Sequence, residues 1–343
     1  MLRRSLLLGA GALAACGAGA SKPSPQTLAP LKDAASFPLG LAAMTGQFDD
    51  GGWTQVARTH FDRITPEWEM KMEAILLEDG GLDFSRSDQL VARARQMGLG
   101  VFGHALIWYA QGGPSFEALA DRPAEFRRAY RGYIARVMGR YRGQVTGWDV
   151  VNEPIRDDGS GLRDCLWSRA LGQDGYIIEA FEAAREADPD VPLFLNDYNL
   201  ESNPAKRRSF LTLAERLLRA GAPLSGLGTQ THIDCDLPDG AIRQTVRELA
   251  ALGLPVHVSE IDVSTDAGDP ARQPRLFAEA VEAMGDLPPA QRFGVTVWGA
   301  RDRDSWLRRG GEHNPLSPDR PLLFDDDGRP KPAAQAFAAA LRA

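Results

Sequence analysis

Residues 147–154, Gly147-Trp148-Asp149-Val150-Val151-Asn152-Glu153-Pro154, read as an apolar strand running into a polar tip. Val145, Val150 and Val151 favour extended backbone, and Pro154 can continue neither a ladder nor a helix. A carboxylate at such a tip is either the start of an ordinary loop or a functional group of the kind that (β/α)₈ barrels carry at the C-terminal ends of their strands. A second stretch weighs toward the latter. Pro255-Val256-His257-Val258-Ser259-Glu260-Ile261-Asp262-Val263 is another apolar strand whose far end bears carboxylates.

Outward from these two stretches, short apolar runs alternate with amphipathic segments. The runs fall at 39–43, 61–65, 100–107, 145–152, 192–196, 226–232, 256–261 and 294–298. Helical spacing marks 85–97, 125–139, 175–187, 204–220, 241–252 and 273–284; Phe126, Tyr130, Tyr133, Ile134 and Val137 recur at that period and are expected in the core. Eight strands, most followed by a helix, predict a single-domain α/β protein, a (β/α)₈ TIM barrel over 37–343. The competing doubly wound open sheet would call for a glycine-rich phosphate loop after the first strand, and the sequence has none there. No internal repeat interrupts the pattern.

Composition sets the outer bounds. The 343 residues are 43% hydrophobic and 25% charged, an ordinary globular mixture, with a formal net charge of −7. Lys and Arg are scattered, which argues against nucleic acid and against a polyanionic substrate; a neutral polymer fits better. At the N-terminus, Arg3 and Arg4 precede an apolar run at 5–15 that is too short to cross a membrane, and Leu13-Ala14-Ala15-Cys16 resembles a bacterial lipobox. Residues 1–15 are therefore read as a signal peptide and 16–36 as a tether behind a lipidated Cys16. The product is expected to be exported: periplasmic, anchored in the membrane as a lipoprotein, or secreted. It is also expected to be monomeric. Two further cysteines, Cys165 and Cys235, make no disulfide framework.

Polar residues gather where the strands end: Glu67, Trp68 and Lys71 after the second, His104 and Trp108 on the third, Asn152 and Glu153 on the fourth. Asn196, Asp197, Tyr198 and Asn199 follow on the fifth, Gln230 and His232 on the sixth, Glu260 and Asp262 on the seventh, Trp298 and Trp306 on and beyond the eighth. One such cluster is unremarkable, but together they describe one face of a barrel. Strand alternation puts Gln230 with His232, and Glu260 with Asp262. It puts Asn152 and Glu153 on opposite faces unless a bulge or the strand end intervenes. Two glutamates at different strand ends are the minimum equipment for hydrolysing a glycosidic bond.

The segments Gly103-His104-Ala105-Leu106-Ile107-Trp108, Trp148-Asp149-Val150-Val151-Asn152-Glu153, Asn196-Asp197-Tyr198-Asn199, Gly228-Thr229-Gln230-Thr231-His232, Ser259-Glu260-Ile261-Asp262 and Trp298-Gly299…Asp304-Ser305-Trp306 together resemble the glycoside hydrolase family 10 xylanases, in order and spacing, from about Phe37 to the C-terminus. The resemblance implies an eight-stranded barrel, cleavage of β-1,4-xylan or xylo-oligosaccharides with retention, and neither cofactor nor metal. By that resemblance Glu153 is the general acid and base and Glu260 the nucleophile, two carboxyls expected about 5–5.5 Å apart. The acid's pKa should be raised and the nucleophile kept ionised. His232 is implied to orient Glu260 and Asp262 to hold His232, while Asn152 meets the sugar 2-hydroxyl. Glu67, Trp68, Lys71, His104, Trp108, Gln230, Trp298 and Trp306 fall at sugar-binding positions. Asp149, Asn196 and Asp197 are expected to bond backbone at the strand tips.

Three positions depart from the family's pattern: Trp68 stands where Asn is usual, Met72 where Trp is, and Tyr109 where His is common. They put the glycone preference, not the reaction type, in question. A related β-glycosidase acting on other β-1,4-glycans or short xylo-oligosaccharides is one alternative, and a lipoprotein that binds glycan without cutting it is another. A metal-dependent barrel hydrolase would need His and Asp clusters, and there are five histidines with no His-x-His at the first strand.

Overall fold

The computed structural model describes residues 28–309 and 318–343; the expected signal peptide, Cys16 and most of the expected tether lie outside these residues. Ten strand segments follow in order: β1 Leu39–Ala43, β2 Arg63–Pro66, β3 Gly100–Val101, β4 Ile107–Trp108, β5 Trp148–Asn152, β6 Leu193–Asp197, β7 Gly226–Thr229, β8 His232–Cys235, β9 Val256–Gly268 and β10 Arg292–Val297. Their pairings are parallel, along the path β3-β2-β1-β10-β9-β7-β6-β5-β4. β3 and β4 are two pieces of one stave, separated by a stretch with a cis peptide between His104 and Ala105. β3 pairs with β2, Gly103 bridges to Trp148, and β4 pairs with β5, so the sheet closes on itself. β8 likewise extends the stave of β7 and pairs with the outer half of β9. Ten segments thus make eight staves, at the eight apolar runs read from the sequence: a (β/α)₈ barrel.

β1, β2, β5, β6 and β7 are buried at every residue, as expected for parallel strands with helices on one side and barrel lumen on the other. The helix Pro123–Tyr141 starts on a proline, whose missing N–H costs nothing there, and buries Phe126, Tyr130, Tyr133, Ile134 and Val137. The helix Pro204–Arg219 is capped by Asn203, whose side chain accepts from the N–H groups of Ala205 and Lys206.

The lumen is packed, not hollow. Phe102, Phe194 and Phe293 pack against one another and against His257, with the Phe194 and Phe293 ring centres 4.3 Å apart, and the Arg63 guanidinium lies 4.5 Å from the Phe293 ring centre. Side chains from five different staves meet only inside the barrel. Glycines on neighbouring strands make the room: a Cβ at Gly226 would lie 2.2 Å from the Phe194 ring, and one at Gly147 2.7 Å from the Phe102 ring. This plug fills one end and leaves the other to the polar tips.

Within the expected tether, Leu31–Ala34 is a short helix, Leu31 is buried, and its N–H donates to His60 Nδ1 at 3.3 Å. An apolar Leu beside a buried acceptor is enough to seat this segment on the barrel. Cys165 and Cys235 are both buried and unpaired with each other, and burial pushes the Cys235 thiol up to about 11.

Candidate active site

The strand-end residues converge on a cleft of about 740 Å³. Glu67, Trp68, Lys71, His104, Trp108, Asn152, Glu153, Gln230, His232, Glu260, Trp298 and Trp306 all line it. Asp262 sits directly behind, under His232 and Trp306.

The backbone explains how neighbours on a strand reach one site. The pairing of β5 with β6 slips between Asp149 and Val151, and Glu153, just past the strand end, adopts φ +57°. These two irregularities break the alternation, so Asn152 and Glu153 face the same cleft. Thr231, at φ +59°, performs the same turn between Gln230 and His232, and its hydroxyl donates to Glu201 at 2.8 Å. A β-branched residue in the left-handed region is rare and is retained only where surrounding contacts hold it. On the opposite wall, β9 slips against β10 between Val258 and Ile261, the interval that contains Glu260.

The two glutamates sit in unlike surroundings. Glu153 is 8% exposed and takes three neutral donors: Trp108 Nε1 at 2.7 Å, Gln230 Nε2 at 2.9 Å and Asn152 Nδ2 at 3.1 Å. Glu260 is 3% exposed; Asn196 Nδ2 donates to one oxygen at 2.8 Å, and His232 Nε2 lies 3.4 Å from the other. Burial pushes the Glu260 carboxyl up, but the His104 and His232 imidazoles and Lys71 more than offset it, so its pKa ends below the ordinary range. His232 is pulled down by burial and held up more strongly by Asp262, 2.9 Å from Nδ1, and by Glu260; it ends at about 10. Trp306 Nε1 donates to the second Asp262 oxygen at 2.8 Å, so one carboxylate fixes both a ring that faces Glu260 and an indole of the cleft wall.

Asn196, expected to bond backbone, does otherwise. Its amide donates to Asn152 Oδ1 at 3.0 Å as well as to Glu260, and Ser259 Oγ donates to its carbonyl at 2.8 Å. A chain of two amides therefore links the two glutamates across the cleft. Asp149 also serves a side chain, with Oδ2 2.8 Å from His104 Nδ1; burial raises its pKa to about 6 against the lowering by His104. Asp197 keeps the expected part, accepting from the backbone N–H of Ile155 and Tyr198, and adds the buried Lys206 at 2.9 Å. His104, Asp149 and Glu260 bring ligand-type atoms within 4.8 Å of one another, yet His104 Nδ1 is already engaged by Asp149.

The three departures differ in consequence. Met72 is 1% exposed and packs in the core, so it does not line the cleft. Trp68 does line it, but its N–H donates to Glu73 at 2.6 Å and Arg86 lies 4.9 Å from its ring centre. Tyr109 lies against Arg163, 4.1 Å from the ring centre. The sequence reading missed Met44 and Arg309 on the cleft wall, and left Tyr198 and Asn199 without a role. The latter two stood in a motif already singled out; Arg309 carried no signal, because only folding brings it to Glu67.

The model of glycosyl hydrolase family 10 matches residues 29–340. An endo-1,4-beta-xylanase A from Cellvibrio japonicus is 38% identical over 91% of this chain, which spans only 56% of that protein's length. An endo-1,4-beta-xylanase B from Paenibacillus barcinonensis is 35% identical over 86% of this chain and 93% of its own. Among solved structures, a mutant of P fluorescens subsp. cellulosa xylanase A in complex with xylopentaose superposes with a TM-score of 0.82 at 35% identity, covering 91% of this chain and all of that one. The chain belongs to glycosyl hydrolase family 10.

Proposed function

We propose that the protein is a retaining endo-1,4-β-xylanase that acts on β-1,4-xylan and xylo-oligosaccharides through Glu153 and Glu260. One observation carries this reading: two glutamates, one just past β5 and one on β9, share one cleft, the first among neutral donors and the second beside the His232 imidazole. Glu260 attacks the anomeric carbon while Glu153 passes its proton to the departing oxygen, giving a glycosyl ester and a shortened chain. Glu153 then takes a proton from water as the water attacks the same carbon, and Glu260 leaves as a carboxylate. Two inversions amount to retention. Asn152 meets the 2-hydroxyl, and His104, Lys71, Gln230 and the indoles of Trp108, Trp298 and Trp306 hold the sugars on either side. Xylan is favoured as substrate by the family membership and by relatives named as xylanases, one solved with xylopentaose. The chain acts as a monomer, exported and anchored through a lipidated Cys16.

The test is the anomer first released from xylohexaose, followed by proton NMR. The β-anomer is expected; the α-anomer would overturn retention, and no cleavage at all would favour a glycan-binding protein. Glu260→Ala should abolish turnover. Glu153→Ala should still be glycosylated by activated aryl xylosides and be rescued by azide, whereas an equal and unrescued loss in both variants would overturn the role assignment. Release of the protein from membranes by Cys16→Ser tests the anchor.

A further inference from the structure

We propose that Arg309 is a specificity-determining positioning residue: its guanidinium clamps the Glu67 carboxylate and so fixes it as a charged acceptor for a sugar at the glycone end of the cleft. This rests on the xylan-cleaving reading and adds a residue that reading does not include. Arg309 donates from Nη1 to one Glu67 oxygen at 2.6 Å and from Nη2 to the other at 2.9 Å, the two-pronged arrangement that gives such pairs both strength and direction. The guanidinium is itself held. Nη2 also donates to the Asp304 carbonyl, and Asp304 is gripped by Arg301, which reaches on to Asp50 at 2.8 Å. Arg309 is thus presented by a braced turn beyond β10 to a carboxylate just beyond β2, closing one wall of the cleft.

The pair has work to do because Glu67 is a poor place for a charge. Its side chain is 13% exposed, and burial pushes its carboxyl above the ordinary range, a rise that Arg309 first and then Lys71 reduce without cancelling, with Glu69 adding a like charge. Glu69 is occupied elsewhere, accepting from the Thr45 hydroxyl at 2.7 Å. Without Arg309, Lys71 is the cation left acting on Glu67 among the described residues. The carboxyl would then take a proton at higher pH, gain a donor, lose part of its accepting capacity and be free to turn. A sugar hydroxyl that donates to ionised Glu67 would lose that partner.

The experiment is the ratio of kcat/KM for 4-nitrophenyl β-xylobioside over 4-nitrophenyl β-xyloside, measured from pH 4 to 8. Titration of the catalytic pair affects both substrates and cancels in the ratio. In wild type the ratio is expected to fall only at the acid end. In Arg309→Met the midpoint of that fall should move up by about one pH unit or more, the usual effect of removing an opposite charge at contact distance. Near pH 6 the ratio should then stand roughly tenfold below wild type, the scale of a lost hydrogen bond to a charged group. Glu67→Gln should give a low ratio flat with pH, and adding Arg309→Met to it should lower the ratio no further. Arg309→Lys keeps a cation without the fork and should lie between; it also serves if the Met variant folds poorly. Superimposed curves for wild type and both Arg309 variants would overturn the proposal, as would a drop by one constant factor at every pH, which is what lost packing alone would give. A wild type inert toward both glycosides and toward xylohexaose would instead overturn the xylan reading and this proposal with it.

Discussion

His232 ties Glu260 to Asp262 and, through Asp262, to Trp306 by one imidazole. Its Nδ1 is held by Asp262, its other nitrogen faces Glu260, and Asp262 is shared with Trp306. Because each orients the next, rate losses in His232→Gln and Asp262→Asn should be non-additive, the double variant losing clearly less than the product of the single losses. A full product would mean the residues act separately. The charge on His232 also has a thermodynamic signature. Its folded pKa of about 10 lies above the ordinary 6.5, so the stability it contributes is complete below about pH 6.5 and is lost as pH rises through about 10. Wild type should therefore lose melting temperature between pH 7 and 10 more steeply than His232→Gln. Parallel curves across that window, followed by differential scanning fluorimetry, would show that the imidazole is not charged in the folded protein.

At the level of elements, the strands do two unlike jobs at their two ends. Toward the floor their glycines admit aromatic rings; toward the cleft the β5–β6 and β9–β10 ladders slip register and the chain turns through positive φ at Glu153 and Thr231. The floor is the less forgiving. A Cβ at Gly226 would sit 2.2 Å from the Phe194 ring, which is itself packed on Phe102 and Phe293. Gly226→Ala should cost about 1–3 kcal/mol in urea unfolding, the usual range for overpacking a dense core. Adding Phe194→Leu, which removes the ring, should recover part of that loss. If Gly226→Ala unfolds at the wild-type urea concentration, the floor is looser than these distances describe.

Across the whole molecule, the two buried thiols report on how the barrel opens. Cys165 precedes the helix Leu166–Leu171, whereas Cys235 ends β8 on another side of the barrel, and both are buried. Burial raises the Cys235 thiol, so it is both shielded and less ionised. In a Cys16→Ser background, both should react with a thiol reagent only as the protein unfolds, at matching denaturant concentrations if the barrel opens as one unit. Labelling of Cys235 well below the global transition would instead reveal local opening around β8.

Periodicity and strand-end chemistry were enough to place the eight staves and to collect Glu153, Glu260, Asn152, His232 and the indoles at one end, because parallel strands buried on both faces must be continuously apolar and any polar residue at their tips stands out. Local pattern could not say whether Asn152 and Glu153 share a face, since that depends on a register slip in the β5–β6 ladder and on one left-handed residue. Nor could it give Asn196 its place between the two glutamates, the core burial of Met72, or the indole N–H of Trp68 held by Glu73. Glu67 and Arg309 are 242 residues apart and meet only because closure of the barrel sets the loop after β10 beside the loop after β2. The fold and most of the cleft's residues were legible along the chain, because burial repeats there; Met44, Arg309 and the question of which side chain grips which came only with the closed barrel, because contacts across a closed sheet leave no periodic trace.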